Sequence, residues 1–425
     1  MSMSHRVAHT PPTVVVVGAL AGGIAGGLAS RNNRDSQEGG GDDDATDSDS
    51  SGNDDSSRYN TTLVDTNIAA INFTDSSNAT RRALFYQREA GSLWLSLSPS
   101  SEDGNGNGNS TTDDANNNNN NTTWKQIDIS AVFSRIRNPD LYTAPKNGTP
   151  LAAAAIPPGE ADFLGNPFAV GLYYLDEENR VRELVSYDGD GEGPLEDWVV
   201  GGMQDYTFDA DDGAQLAVAP HFCADGCANA FCVAYQDRYQ TLGVACGDAW
   251  DRPQTLETAY PGTSLAMVPF ASDNGKNVTK ANWMRLFWQR DNTFLVLADN
   301  DGDWGVGAEA AISDQNPING ALPQVVAAPS QAQSHMMVIS QTADGVFTGS
   351  FYRPVPAWDF DKSMRFVNEG GDATDDSPRD LNLTAIAFDH DGAFYGLSDD
   401  RARVVQYAWD AENPFDLRWV RNIDI

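Results

Sequence analysis

The stretch Cys232-Val-Ala-Tyr-Gln236-Asp-Arg-Tyr-Gln-Thr241-Leu-Gly-Val-Ala-Cys246 reads as a β-hairpin. Two short runs, rich in Val and other strand-forming residues, flank a polar turn. The first half of this pattern recurs as Ala83-Leu-Phe-Tyr-Gln87, Gly171-Leu-Tyr-Tyr-Leu175, Arg285-Leu-Phe-Trp-Gln289, Met337-Val-Ile-Ser-Gln341 and Ala393-Phe-Tyr-Gly-Leu397. An apolar run precedes each copy, at 68–73, 151–156, 215–219, 264–270, 324–328 and 383–388. A further strand-like run follows each, at 92–97, 181–185, 241–246, 293–298, 346–351 and 404–409. A tryptophan often comes next: Trp124, Trp198, Trp250, Trp304 or Trp419.

Six such units, with no sustained 3.6-residue apolar period, predict an all-β chain folded as a six-bladed β-propeller over residues 65–425. The first unit is interrupted at 101–123 by a Gly/Asn/Asp/Ser tract that is expected to be a disordered insertion. The fifth unit is the least regular. The last strand, expected at 418–423, is well placed to help close the ring.

Charge narrows the function. Against 61 Asp and Glu the chain has only 27 Lys and Arg, a net charge of −34. Nucleic acid is therefore excluded as a partner, because phosphate binding needs a basic surface. Docking on anionic lipid through a polybasic face is excluded for the same reason.

Upstream of the repeat the composition changes. Residues 1–12 form a tail, 13–29 an apolar segment and 30–60 an Asp/Ser/Gly/Asn-rich stalk that cannot offset its ordering entropy. The uncharged run 14–29 reads as a single-pass transmembrane anchor, as a signal peptide cleaved near Gly27-Leu28-Ala29, or as a Gly/Ala-rich disordered segment. Sixteen helical residues span about 24 Å, short of a hydrocarbon core of roughly 30 Å. Gly18, Gly22 and Gly26 stand at GxxxG spacing, a pattern of paired membrane helices. Sequons at Asn60, Asn72, Asn78, Asn147, Asn277 and Asn382, with others at Asn109, Asn120 and Asn121, favour an extracellular or luminal glycoprotein. The expected location is thus the membrane, with the propeller outside, or the secreted state.

All four cysteines fall in one window, at Cys223, Cys227, Cys232 and Cys246. Cys232 and Cys246 lie on two strands of one hairpin and suit a cross-strand disulfide, leaving Cys223 and Cys227 to close a small loop. A zinc site with C-x3-C-x4-C spacing is the alternative, less suited to an oxidising compartment. Five scattered histidines form no metal motif, and no metal or other cofactor is expected. The acidic runs Asp299-Asn-Asp-Gly-Asp303, Asp188-Gly-Asp-Gly-Glu192 and Asp209-Ala-Asp-Asp-Gly213 read as turns.

Gly171-Leu-Tyr-Tyr-Leu followed by Arg180-Val-Arg-Glu-Leu184 resembles the blade signature of the fungal fucose-specific lectin family. Arg285-Leu-Phe-Trp-Gln289 followed by Asn300-Asp-Gly-Asp-Trp304 is similar to it as well. The resemblance covers about 65–425 and implies a six-bladed propeller. In that family, an Arg of the first motif and a Glu about twelve residues later bind one sugar with help from aromatic side chains. The chemistry is sound, because charged groups bond sugar hydroxyls strongly and an aromatic face packs on the apolar side of the sugar.

Here the pair is split in every unit. Glu183 faces Gly171 at the Arg position, and Arg285 has Leu297 at the Glu position. The other units have Ala83, with Arg81 and Arg82 adjacent, then Cys232 with Val244, Met337 with Gly349, and Ala393 with Val405. The resemblance therefore implies a non-catalytic carbohydrate-binding propeller with degenerate sites. Glu183 and Arg285 are the candidate polar anchors, and Trp198, Trp288 and Trp304 the candidate stacking platforms. Glycans, fucosylated ones among them, are the expected partners. Two other classes compete: a propeller that has lost sugar binding and serves protein interaction or structure, and a glycoside hydrolase with paired carboxylates. No sialidase-type repeat and no G-x-S-x-G elbow supports an enzyme.

Overall fold

A computed structural model describes residues 62–63, 65–75, 79–88, 91–99, 124–133, 142–156, 169–187, 195–222, 230–247, 249–270, 283–290, 295–300, 304, 310–311, 324–330, 335–341, 345–353, 357–367 and 383–425. The apolar segment, the acidic stalk, the 101–123 insertion, Cys223, Cys227 and the sequons at Asn60, Asn78, Asn277 and Asn382 lie outside the described residues. No helix among the described residues is long and apolar enough to cross a membrane.

The described strands form six sheets. Sheet one holds β1 (Ala69–Thr74), β2 (Thr80–Gln87), β3 (Leu93–Leu97) and β4 (Lys125–Asp128), followed by the short helix α1 (Ile129–Phe133). Sheet two holds β5 (Ala152–Ile156), β6 (Ala169–Leu175), β7 (Val181–Tyr187) and β8 (Trp198–Val200). Sheet three holds β9 (Leu216–His221), β10 (Ala230–Gln236), β11 (Thr241–Cys246) and β12 (Gln254–Thr258). Sheet four holds β13 (Leu265–Phe270), β14 (Trp283–Gln289), β15 (Leu295–Asn300) and β16 (Ala310–Ala311). Sheet five holds β17 (Gln324–Pro329), β18 (Met336–Gln341), β19 (Phe347–Arg353) and β20 (Ala357–Ser363). Sheet six holds β22 (Leu383–Phe388), β23 (Ala393–Ser398), β24 (Arg403–Trp409) and β25 (Asp416–Asp424), with β21 (Arg365–Val367) added in parallel to β25.

Each sheet is an antiparallel meander in chain order. Their first strands neighbour one another in the sequence β1, β5, β9, β13, β17, β22 and back to β1. The architecture is an all-β propeller. Where the first strands converge, the bore is lined by Ala69, Ala152, Ala217, Ala266, Ala327 and Ala387, one alanine from each. A cavity of about 120 Å³ remains between them.

The core is divided among the junctions between sheets. Successive residues of a strand point to opposite faces, so each sheet feeds two apolar clusters. Ala83 and Phe85 pack towards sheet two, whereas Leu84 and Tyr86 pack towards sheet six. A cluster of this kind fills every junction around the circuit.

Polar staples fix the sheets in order. The Gln87 amide donates to Lys146 O (3.0 Å) and accepts from Thr149 N (3.1 Å), on the approach to sheet two. The Thr149 hydroxyl in turn accepts from Leu175 N (2.7 Å) at the end of β6. Thr66 and Thr263 receive Gln87 N and Gln289 N in the same way, each at 2.8 Å. Gln236 donates to Tyr260 O (3.0 Å) and accepts from Gly262 N (2.9 Å), on the approach to sheet four. Gln341 donates to Leu383 O (2.9 Å) at the start of sheet six. The recurring glutamine of the sequence repeat is thus a structural residue.

Among the described residues no strand is exchanged between the first and last sheets: β25 completes sheet six and does not cross to sheet one. The two sheets are joined by side chains. Arg82 pairs with Asp389 (3.2 Å) and Asp391 (3.0 Å), and the Tyr395 hydroxyl donates to Asp389 (3.1 Å). Thr62 Oγ1 donates to Arg401 O (2.7 Å), and Gln126 to Asp424 O (3.2 Å).

The Cys232–Cys246 disulfide forms as a cross-strand pair of β10 and β11. It removes Cys232 from the alternative zinc set. Among the described residues no group of three or more His, Cys, Asp or Glu side chains is placed to hold a metal.

Replacing Gln236 with Leu strands buried backbone groups on both sides of the third junction. The expected cost is about 1–3 kcal/mol of stability, measured by denaturant unfolding. A midpoint equal to that of the wild type would remove the staple from the account.

Candidate functional site

Arg285 lies in β14 on the face turned to sheet five. The residue is 6% exposed, with its guanidinium stacked 3.8 Å above the Phe270 ring and 4.3 Å from that of Tyr352. Phe270 belongs to sheet four and Tyr352 to sheet five, so the cation sits in an inter-sheet slot. Nη1 also lies 3.6 Å from Met336 Sδ. Trp283, Tyr352 and Trp358 are half-buried around this cluster, and the Tyr352 and Trp358 rings are 5.2 Å apart. Leu297, not a glutamate, is paired with Phe287 in the register. The arrangement provides one charged donor group among aromatic surfaces.

Trp288 and Trp304 do not join this slot. Both are buried in the cluster between sheets three and four. Arg285 and Trp288 are separated by an odd number of positions, and the alternation of a strand sends them to opposite faces.

The same correction applies to Trp198. It packs towards sheet one, edge-on to Phe85 at 5.9 Å, with its indole N–H donated to Leu195 O (2.9 Å). Glu183 faces the other way, towards sheet three. The five candidate sugar-site residues thus divide among four junctions.

Glu183 is 4% exposed and internally satisfied. The Tyr173 hydroxyl donates to Oε1 (2.6 Å), and Met203 N–H donates to Oε2 (3.0 Å). A Cβ built on Gly171 would lie 2.9 Å from Tyr173 Cε2 and 3.0 Å from its hydroxyl. Tyr173 therefore fills the space that an arginine at 171 would use. On the other side, a Cβ at Gly201 would collide with the Glu183 carboxylate. Burial raises the carboxyl above the usual glutamate range, against the opposing Tyr173 and Met203 hydrogen bonds.

The other junctions are closed as well. Ala83 and Leu95 are buried in the first. The disulfide and Val244 occupy the third. The thioether of Met337 and that of Met364 cover Gly349 in the fifth. In sheet six, register pairs Tyr395 with Gln406, so Gln406 and not Val405 stands opposite the acceptor position. The Tyr395–Gln406 hairpin spans one residue more than Tyr173–Glu183, and a fixed count of twelve therefore misses it. Gln406 is buried.

Of the expected glycosylation positions among the described residues, Asn147 is exposed in a turn. Asn72 is half-buried in β1, opposite Arg82.

The raised Glu183 value has a consequence for stability. The folded chain holds this proton more tightly than the unfolded chain, so its contribution falls as pH rises from the ordinary glutamate value through the folded one. Glu183→Gln keeps the shape and can satisfy both neighbours, since the Tyr173 hydroxyl can turn to accept. Its melting temperature relative to the wild type is expected to be higher at pH 7 than at pH 4. The opposite order would contradict a carboxyl disfavoured by burial.

No protein-family model and no curated protein matches this chain. Solved structures do. Aleuria aurantia lectin in complex with α-methyl-L-fucoside superposes with a TM-score of 0.59 at 12% identity, covering 86% of this chain and 97% of the lectin. AofleA from Arthrobotrys oligospora gives 0.54 at 13%, covering 87% and 88%. SapL1 lectin in complex with α-methyl fucoside gives 0.50 at 16%, covering 85% and 97%. At the level of fold, the chain is an all-β propeller similar to those of these lectins.

Proposed function

We propose that the chain is a non-catalytic carbohydrate-binding propeller in which the six sheets act as blades of one ring. Its sugar site is the slot between sheets four and five. The observation that carries this reading is the position of Arg285, held between Phe270 and Tyr352 of two successive sheets. A guanidinium fixed by stacking presents its N–H edge to sugar hydroxyls with little further loss of freedom. The half-buried rings of Trp283, Tyr352 and Trp358 supply surfaces for the apolar face of a pyranose. Fold similarity to lectins whose structures contain α-methyl fucosides makes fucose the first ligand to test. The closed states of the other junctions favour one site per chain over several.

The proposal extends to display. The apolar run 14–29 anchors the protein in a membrane or directs its secretion, with the propeller outside the cell or in the lumen, where glycans are met. A second reading, an interaction or structural module without sugar binding, is favoured by the plug of Tyr173 against Glu183.

The test is titration of the secreted protein with α-methyl-L-fucoside, alongside a glycan array competed by L-fucose. Arg285→Ala is expected to weaken binding by about 1–3 kcal/mol, the cost of a lost charged hydrogen bond. Glu183→Gln is expected to leave affinity unchanged. Fucose binding that is indifferent to Arg285 would overturn the site. A folded protein that binds no glycan would favour the module reading.

A further inference from the structure

Lys146-Asn147-Gly148-Thr149 forms the tight turn that leads into sheet two. Thr149 N donates to Lys146 O (3.2 Å) across it, and Gly148 holds the left-handed φ of 70° that the third position of such a turn takes. The two residues that flank Asn147-Gly148 are the partners of the first staple. The Gln87 amide donates to Lys146 O and accepts from Thr149 N. Gln87 is fully buried, so this spacing of Lys146 and Thr149 is what its amide is fitted to.

The centre of the turn is chemically open. Asn147 is exposed, and its carboxamide makes no hydrogen bond to the described residues. The Gly148 N–H donates to none of them either. Glycine also puts no side chain in the way of its own nitrogen. Among the described residues Asn147-Gly148 is the only Asn-Gly pair. Asn179 differs on both counts. Its carboxamide accepts from Lys146 Nζ, and the N–H that follows it, of Arg180, is held by Asp176 Oδ1 (2.8 Å). Asn413 is followed by Pro414, which has no N–H to react.

We propose that Asn147 is a site of spontaneous deamidation, and that its isoaspartyl product releases the staple between sheets one and two. Gly148 N loses its proton to water and attacks Asn147 Cγ. A C–N bond forms, the Cγ–Nδ2 bond breaks, and the nitrogen leaves as ammonium. Water then opens the cyclic imide at either carbonyl, giving aspartate or isoaspartate. One water is consumed and one ammonium released for each new carboxylate. Aspartate adds a charge but keeps the path of the chain. Isoaspartate routes the chain through Cβ and Cγ and makes the turn one atom longer. Lys146 O and Thr149 N then lose the spacing that Gln87 bridges, and a buried amide is left without partners on the sheet-two side. Asn147 also heads a sequon, and a glycan on its amide nitrogen would block the loss of ammonium. Pro150, directly after the sequon threonine, disfavours transfer of that glycan.

The experiment is ageing of the secreted full chain at pH 8 and at pH 5, read by peptide mass spectrometry with fragmentation that separates aspartate from isoaspartate. Asn147 is expected to gain one mass unit several-fold faster than Asn179, and faster at pH 8, where the backbone nitrogen loses its proton more readily. Isoaspartate should be the main product. Aged protein should unfold at a lower denaturant concentration than fresh protein. Asn147→Gln, whose longer side chain cyclises slowly, should keep its midpoint on ageing, although the Asn-Gly pairs elsewhere in the chain remain. Freshly made Asn147→Asp should match fresh wild type, because it has the charge without the extra atom. An Asn147 that stays intact or carries a glycan would overturn the proposal. So would an aged midpoint equal to the fresh one, an aged Asn147→Gln that weakens as the wild type does, or a fresh Asn147→Asp as weak as aged wild type.

Discussion

The buried glutamine at the end of the second strand is the contact on which the sheet order depends. Gln87, Gln236 and Gln341 each reach from one sheet to the backbone that opens the next. Apolar packing between sheets is strong but has little direction. A side-chain amide has both donors and an acceptor in fixed places, so it admits one approach path for the incoming chain. Thr66, Thr149 and Thr263 fasten that path to the end of the second strand of the sheet it enters. Between the last sheet and the first, the same task falls to ion pairs, with Arg82 held by Asp389 and Asp391.

This division of labour leaves the junctions free to vary. Each one has a place where a cation and an acceptor could meet, and the chain fills these places differently. Tyr173 closes one against Glu183, a disulfide closes another, and thioethers close a third. At Arg285 the filling is aromatic and comes from two sheets, and the guanidinium lies among half-buried rings. On the proposed reading, function on this scaffold depends on which junction keeps a charged group among its rings.

The strands were legible because alternation and turn residues mark them without help from distant contacts. Strand bounds moved by at most three residues: 83–87 lengthens to Thr80–Gln87, whereas 383–388 stays as Leu383–Phe388. The candidate site was less legible. Trp288 follows Arg285 by three positions, and parity alone assigns it to the opposite face. For Trp198 and Glu183 the parity argument needs the β7–β8 register, which pairs Trp198 with Ser186 and is not visible in one sequence. Gln406 was missed because a longer hairpin shifts the pairing by one. β21 was missed because a three-residue parallel strand has no local signature and exists only through β25.

The central claim is that a single inter-sheet slot, the one at Arg285, retains sugar binding. A crystal structure of the protein with α-methyl-L-fucoside tests it most directly. The account predicts one fucoside at the junction of sheets four and five, with its hydroxyls on the Arg285 guanidinium edge and Tyr173 still seated against Glu183. A fucoside between sheets two and three with Tyr173 displaced, or one at every junction, would contradict it.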